Sequence, residues 1–232
     1  MQGRREAGPF FWSLLQMITV FLLRHGETAW NKLGRVMGRS QVPLGDDGIQ
    51  QIKKIAPLVA TLKLDAIYTS PLRRAVQTAK VVAAGTKLPI CKNEGLNEIA
   101  FGAWTGRHFD DLIDDELYRS FIKSPAKTLL PGGETISDVQ RRGLKVINEA
   151  AEKVPGGRFL LVSHGDVIRA VLCHYMKLPL NEYRRLRVDN GSLSALQTDR
   201  RWAEIKYVNY LEEIILASKE PYMAARAAEL RK

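Results

Sequence analysis

The sequence predicts an α/β protein with a mostly parallel sheet, helices on both faces and a small helical lid insertion. The apolar runs 18–23 and 158–163 have the continuity expected of strands buried on both faces. A third strand is predicted at 64–70, and all three runs precede stretches whose apolar residues recur at helical spacing. Strands that alternate with helices are typical of a parallel sheet covered on both sides.

The remaining elements follow the same alternation. After the first strand and a polar, Gly-rich loop, one helix is indicated by apolar residues at helical spacing, namely Ile49, Ile52, Ala56 and Val59. The next helix is marked by Pro71 at its start and Gly85 at its end. Further strands are predicted at 88–93, 192–198 and 202–208, and a further helix after 158–163.

Residues 99–135 interrupt this rhythm. They are rich in aromatic, acidic and glycine residues, and we expect them to form the lid insertion over the sheet edge. No repeat, low-complexity tract or linker is evident, so 17–232 is predicted to be one domain. Residues 1–16 are predicted to be an N-terminal extension, or alternatively a short amphipathic segment. The C-terminal PYMAARAAELRK (221–232) resembles a short amphipathic helix that could pack on the core or a partner.

Composition narrows the classes of partner. The chain has 35 Lys and Arg against 25 Asp and Glu, a net charge of +10 that favours anionic ligands. No basic run with interleaved aromatic residues is present, which argues against nucleic-acid binding. The apolar start has no signal cleavage site and is too short for a membrane helix. Cys91 and Cys173 form no C-x-x-C pair, so we expect a cytoplasmic protein without a metal or disulfide framework.

Two predicted strands end directly in His-Gly, at His25-Gly26 and His164-Gly165. Ligands of open parallel sheets bind beyond the carboxyl ends of the strands, so both histidines should project into one crevice. Each glycine allows the backbone to approach a ligand closely, and the helix after His164 offers N–H groups to an anion. A lone histidine at a strand end is more often a structural hydrogen-bonding residue, but this pairing favours a reactive site.

Arginines at the same edge strengthen that interpretation. Arg73 and Arg74 begin the helix after the strand 64–70, and Arg24 precedes His25. Arg24, Arg74 and the helix amides could cradle the three non-bridging oxygens of a phosphoryl group. Neighbouring positive charge keeps an imidazole neutral, and a neutral histidine can attack phosphorus.

Five segments carry a resemblance to a known family. They are LLRHGETAWN (22–31), SPLRRAVQTA (70–79), LNEIAFGAWTG (96–106), PGGET (131–135) and LLVSHGDVIRA (160–170). In order and spacing they resemble the histidine phosphatase superfamily, and within it the phosphatase-type members of the phosphoglycerate-mutase-like branch. The resemblance runs from about Met17 to about Tyr210.

The resemblance implies a role for each matching residue. His25 would be the nucleophile and His164 the residue that stabilises the transferring phosphoryl group. The phosphate-binding residues would be Arg24, Asn31, Arg74 (rather than Arg73), His164 and Gly165. Glu98 would donate the proton to the leaving group. The residues alone leave Glu94, Asp110 and Asp111 open as alternatives to Glu98.

Other positions in these segments have less direct roles. We expect Glu134 to orient a loop or pair with an arginine, and Thr135 with Asp138 to cap a helix. Gln41 and Gly45 depart from the Asp and Thr usual in the family. These departures affect the local loop and helix capping, and leave the reacting groups in place.

The predicted function is a phosphoric monoester hydrolase that acts on a small phosphorylated metabolite through a phosphohistidine at His25. No metal or cofactor is expected, because arginines and histidines supply the positive charge. The lid is short and contains NEIAFGAW where mutases have an E-R-H-Y-G type motif, which favours hydrolysis. The alternatives are a cofactor-dependent phosphoglycerate mutase and a non-catalytic phospho-ligand-binding module. The lid residues expected to face the leaving group are Phe101, Trp104, Arg107, His108 and Phe109. The substrate stays open, as does the oligomeric state, with which a homodimer is compatible.

Overall fold

Six strands form one mixed sheet in the order β3-β2-β4-β1-β5-β6. This computed structural model describes residues 17–199 and 201–212, so the predictions for 1–16 and 221–232 lie outside the described residues. The strands are β1 (Ile18–Arg24), β2 (Ala66–Thr69), β3 (Ile90–Lys92), β4 (Arg158–Ser163), β5 (Leu193–Thr198) and β6 (Ala203–Tyr210). β1 to β4 run parallel, whereas β5 is antiparallel to β1 and β6 to β5. The predicted mostly parallel sheet is confirmed.

The helices of the described residues are α1 (Ala29–Lys32), α2 (Asp46–Thr61), α3 (Arg73–Ala83), α4 (Glu116–Lys123), α5 (Ile136–Lys153) and α6 (Gly165–Tyr175). Short 3-10 turns lie at Glu94–Leu96, Gly102–Trp104, Asp110–Leu112 and Leu180–Arg185. At the start of α5, Thr135 and Asp138 form the expected reciprocal capping bonds. None of the helices in the described part of the chain is long and apolar enough to cross a bilayer.

Helices cover both faces of the sheet because side chains of a strand alternate between its two faces. Phe21 and Leu23 of β1 pack in one cluster with α2 and α3. Val20 and Leu22 pack in the opposite cluster with α5 and α6. The prediction of helices on both faces is therefore confirmed, and the buried strands carry the continuous apolar sequence that two-sided burial requires.

The apolar residues of the segment 99–135 belong to a third hydrophobic cluster, which they share with neighbouring helices. The segment contains α4 and two of the 3-10 turns, and its apolar residues pack against the sides of α5 and α6. Phe101 and Trp104, expected to face the leaving group, are instead buried here, with ring centroids 6.1 and 5.9 Å from that of Phe121. Their large apolar surfaces gain more from this packing than from a water-filled site. Cys173 of α6 contributes to the same core.

Candidate active site

The topology of the sheet brings four chain segments to one edge. β1, β2 and β4 end there because they are parallel, and the antiparallel β5 begins there. His25 follows β1, His164 follows β4, and the turn at Asn190–Gly191 precedes β5. The amide of Gly191 hydrogen-bonds the carbonyls of Arg24 and His25 at 3.2 and 3.1 Å. The turn before β5 thus supports the backbone that carries His25.

His25 is 2% exposed and has a defined ring orientation. Its Nδ1 lies 2.7 Å from the carbonyl of Gly26, which assigns the proton to Nδ1 and leaves a lone pair on Nε2. The pKa of His25 is held well below its usual 6.5, first by burial and then by the positive charges of Arg74 and Arg24. The side chain is therefore a neutral imidazole with a nucleophilic Nε2.

Glycines allow the loop after β1 to pack against the start of α2. A Cβ on Gly48 would lie 2.0 Å from the carbonyl oxygen of Glu27, and a Cβ on Gly26 would lie 2.4 Å from that of Gly48. The amide of Gly26 also donates to Oγ1 of Thr78 at 3.2 Å. Backbone-to-backbone packing of this kind fixes the position of the neighbouring His25.

Arg74 is fully buried beside His25. Its Nη1 and Nη2 donate to the carbonyls of Ser40 and Gly38 at 2.9 and 2.8 Å, and its Nε donates to Nε2 of His25 at 3.2 Å. Burial lowers its pKa to about 10, so the guanidinium stays charged at neutral pH. Arg73 is exposed, as the resemblance implied, and its amide donates to Oε1 of Gln41 at 2.9 Å. Gln41, which lies in the loop before α2, therefore caps the start of α3.

Arg24 and His164 have buried polar atoms that lack a hydrogen-bond partner among the residues that the structure describes. Nη1 of Arg24 donates to the carbonyl of Val188 at 2.6 Å, whereas its buried Nε has no hydrogen-bond partner among the described residues. Nδ1 and Nε2 of the buried His164 also lack a hydrogen-bond partner among the described residues. The His164 ring lies 5.1 Å from that of His25, centroid to centroid. Buried polar atoms without partners are costly, so a ligand that pairs with them gains binding energy.

Gly165 lies in close contact with two guanidinium groups at the start of α6. A Cβ there would stand 3.1 Å from Nη1 of Arg169 and 3.5 Å from Nε of Arg24. Burial and the charge of Arg169 lower the pKa of Arg24 to about 10, while Glu98, Asp166 and Asp189 oppose that shift. Excess positive charge at a helix N-terminus suits a dianionic phosphoryl group.

Asn31 forms a capping box with Thr28 at the start of α1. Its Oδ1 accepts from the amide and Oγ1 of Thr28 at 3.1 and 2.9 Å, and from Nδ2 of Asn190 at 3.4 Å. These donors fix the amide so that its NH2 group stays available to a ligand. Asn190 also donates to the carbonyl of His25 at 3.1 Å. Sequence reasoning missed Asn190, although the Asp-Asn-Gly turn before β5 was a local signal for it.

Glu98 is the carboxyl group whose electrostatics match a proton donor. Burial, aided by the nearby Asp166, raises its pKa to about 7, while Arg74 and Arg24 partly offset the shift. Its Oε1 accepts from the amide of Ile99 at 3.0 Å. The three alternatives, Glu94, Asp110 and Asp111, are exposed. Asp166 was not singled out from the sequence, because its proximity to Glu98 arises only in the fold.

The structure thus brings His25, Arg24, Arg74, His164 and Glu98 into one electrostatic neighbourhood, with Asn31 and Gly165 beside it. His108 lies in the lid segment and His174 is exposed on α6. No group of three or more His, Cys, Asp or Glu in the described ranges is arranged to hold a metal ion. The arrangement can bind a phosphoryl group, attack it with a neutral imidazole and protonate a leaving oxygen.

Comparison with known proteins identifies the class. The family model for the histidine phosphatase superfamily (branch 1) matches residues 20–210. The chain belongs to that superfamily.

The relatives of this chain include proteins named as phosphoglycerate mutases and proteins named as phosphatases. A protein of Cronobacter sakazakii named probable phosphoglycerate mutase GpmB is 34% identical over 180 residues, 77% of this chain and 84% of the relative. The solved α-ribazole phosphatase of Shigella flexneri has a TM-score of 0.75 at 28% identity, covering 86% of this chain and 100% of its own. A phosphoserine phosphatase mutant of Entamoeba histolytica, solved with phosphoserine, has a TM-score of 0.77 at 26% identity, with 86% and 100% covered.

Proposed function

We propose that this protein is a phosphomonoester hydrolase that transfers the phosphoryl group of a small phosphorylated metabolite to Nε2 of His25 and then to water. The observation that carries the proposal is the buried, neutral His25 beside Arg74, with unpartnered polar atoms of Arg24 and His164 around it. These groups have the positions and charges that an incoming phosphoryl group needs.

In the first step, Nε2 of His25 forms a bond to phosphorus while the bond from phosphorus to the ester oxygen breaks. The guanidinium groups of Arg24 and Arg74 and the NH2 group of Asn31 bind the non-bridging oxygens. His164 stabilises their developing charge. Glu98, protonated below its pKa of about 7, gives its proton to the departing oxygen.

In the second step, water attacks the phosphorus of the phosphohistidine. The carboxylate of Glu98 takes a proton from the water, the bond from nitrogen to phosphorus breaks, and His25 returns to its neutral form. Two in-line displacements invert the configuration at phosphorus twice, so the overall reaction proceeds with retention. Arginine and histidine supply the charge stabilisation, so the proposed reaction needs no metal ion.

Hydrolysis is favoured over mutase activity by two considerations. The segment that carries Glu98 reads NEIAFGAW, where mutases of the superfamily have an E-R-H-Y-G type motif. The superfamily structures that resemble this chain include proteins named as phosphatases. The mutase alternative is supported by relatives that bear that name at 34% identity. A non-catalytic binding role is disfavoured because none of the five catalytic side chains is replaced.

The test is phosphate release in EDTA from a panel of phosphomonoesters that includes 3-phosphoglycerate, with and without a bisphosphoglycerate primer. His25→Ala should abolish release, whereas His174→Ala, which removes an exposed histidine of α6, should not. Interconversion of phosphoglycerates faster than phosphate release would establish the mutase alternative. Strict dependence on a metal ion would contradict the mechanism, and inactivity of wild type on every substrate would favour a binding role.

A further inference from the structure

The turn Pro131–Glu134 packs directly on the segment that carries Glu98. The amide of Glu134 donates to the carbonyl of Ala100 at 3.0 Å, and the amide of Ala100 donates back to Oε2 of Glu134 at 3.0 Å. A Cβ on Gly133 would lie 2.2 Å from that same Ala100 carbonyl oxygen. The backbone two residues after Glu98 is therefore fixed against this turn.

The side chain of Glu134 is committed to arginines that contact the same segment. Arg142 forms a bidentate pair with it, Nε to Oε1 and Nη2 to Oε2 at 3.1 Å each, and Nη1 of Arg142 donates to the carbonyl of Gly95 at 2.9 Å. Nη2 of Arg39 lies 2.9 Å from Oε1 of Glu134, and Nε of Arg39 donates to the carbonyl of Glu98 at 3.4 Å. The segment is thus held before Glu98, at Glu98 and after it.

Glu134 is unsuited to react. Burial alone would raise the pKa of Glu134, but the hydrogen bond and charge of Arg142 outweigh burial and lower it. Both oxygens of the carboxylate accept hydrogen bonds, from Arg142 and the Ala100 amide, and Oε1 also forms an ion pair with Arg39. A carboxylate of this kind orients its neighbours and has no proton to donate at neutral pH.

We propose that Glu134 is a positioning residue, which holds the carboxyl group of Glu98 at the leaving-group oxygen through Arg39, Arg142 and the backbone of residues 95–100. This inference rests on the proposed function, because it assigns a role in the proton transfer by Glu98. A positioning role of Glu134 can be distinguished from a purely structural role by the kind of substrate that is affected. In the first step, misplacement of Glu98 should slow phosphoryl transfer only for substrates whose leaving group needs its proton.

The need for that proton depends on the leaving group. An alkoxide is strongly basic and must be protonated as it departs, whereas p-nitrophenolate leaves without a proton. In a two-step reaction, kcat/KM reports the transfer of the phosphoryl group to His25. The ratio of kcat/KM for an alkyl phosphate to that for p-nitrophenyl phosphate therefore isolates the action of Glu98 from folding, phosphate binding and the later attack of water.

The experiment compares this ratio in wild type, Glu98→Gln, Glu134→Gln and the control Glu149→Gln, in EDTA. Glu149 is on the same helix as Arg142 and its carboxylate is a surface partner of Lys145. We expect Glu134→Gln to lose about tenfold on the alkyl phosphate and less than about twofold on p-nitrophenyl phosphate, the direction expected for Glu98→Gln. Glu149→Gln should keep the wild-type ratio.

A second variant covers the case in which Glu134→Gln does not fold. Arg39→Gln removes the contacts to Glu134 and to the Glu98 carbonyl from a side chain that is 45% exposed, so the fold should tolerate it. It should shift the ratio in the same direction by a smaller factor. An unchanged ratio in both variants, beside a lowered ratio in Glu98→Gln, would overturn the positioning role alone. Wild type inactive on both substrates would overturn the proposed function, and the inference with it.

Discussion

Nε of Arg74 donates a hydrogen bond to Nε2 of His25 across 3.2 Å, so the nitrogen proposed to attack phosphorus is held by a residue proposed to bind the phosphoryl group. This bond keeps Nε2 unprotonated and fixes the plane of the ring. It must lengthen when the lone pair moves to phosphorus, and the guanidinium is then available to a phosphoryl oxygen. We therefore expect Arg74 to act both in the resting state and in the transition state.

Replacing Arg74 with lysine tests this double role. Lysine keeps the charge but has no planar fork to contact His25, Ser40 and Gly38 together. We expect kcat/KM to fall by about 100-fold, the usual effect of losing one donor to the transition state. The free energy of unfolding should also fall, by roughly 1 to 3 kcal/mol, as buried carbonyls lose their donors. Activity within twofold of wild type would contradict the role.

The pKa of Glu98 predicts the pH dependence of the reaction. Because Glu98 must be protonated in the first step, kcat/KM for an alkyl phosphate should fall as the pH rises through about 7. The loss at low pH should follow protonation of His25, whose pKa lies well below 6.5. Initial rates between pH 4 and 9 measure both limbs. Glu98→Gln should lose the limb near pH 7, and its persistence would assign the acid to another residue.

The same carboxyl group should reduce the stability of the fold at alkaline pH. Its pKa is about 7 in the folded protein against an ordinary value of 4.5, so between these values the folded state binds more protons than the unfolded state. The free energy of unfolding therefore falls as the pH rises through this window. Glu98→Gln should be more stable than wild type by roughly 3 kcal/mol at pH 8 and about equal to it near pH 4. Urea titrations at the two pH values measure the difference. An advantage that did not change with pH would argue against a raised pKa.

Orthovanadate should be a strong competitive inhibitor, because its trigonal-bipyramidal form resembles the transition state of phosphoryl transfer. The unpartnered atoms of Arg24 and His164 provide the contacts. Inhibition constants measured beside those for inorganic phosphate should show much tighter binding of vanadate, and Arg74→Lys should remove most of that preference. Equal binding of the two anions would indicate that the pocket is not shaped for the transition state.

The family departure at Gly45 predicts a stabilising substitution. Gly45 begins α2 without a side-chain cap, its backbone is extended, and a Cβ there would have its nearest neighbour, the carbonyl oxygen of Glu27, at 3.7 Å. Gly45→Ser should cap the helix and stabilise the protein by about 0.5 kcal/mol, with activity unchanged. Comparing the thermal unfolding of Gly45→Ser with that of Gly45→Ala separates the effect of the hydroxyl group from that of the added Cβ, because alanine is a poor N-cap. A serine variant no more stable than the alanine variant would contradict the capping argument.

The sequence predicts the position of a site residue where that residue directly follows a recognisable strand or helix signal. His25 and His164 directly follow buried strands, so their place at the sheet edge could be derived from strand direction. Asp166 and Arg39 could not be derived in this way, because contacts between residues far apart in sequence bring each of them to Glu98. The fold likewise brings Asn190 to His25, and the Asp-Asn-Gly turn is its one local signal.

The lid segment shows a different limit of sequence reasoning. Aromatic residues beside a predicted site can line a substrate-facing surface or pack in a buried cluster. The sequence pattern favours the first for Phe101 and Trp104. The structure places them in the second, because Phe121 and Tyr118 of α4 lie within ring-contact distance. That partnership depends on how α4 folds back on the segment, which hydropathy alone does not reveal.

The position of β1 at the centre of the sheet has a consequence for biosynthesis. Its partners β4 and β5 begin at residues 158 and 193, so β1 is made well before the two strands that pair with it. Until those residues have been made its apolar edge lacks these two neighbours, and the nascent chain exposes an aggregation-prone segment. The backbone of His25 also lacks its support from Gly191 during that time. We expect the sheet to form cooperatively and catalytic competence to be acquired only after β5 has been made.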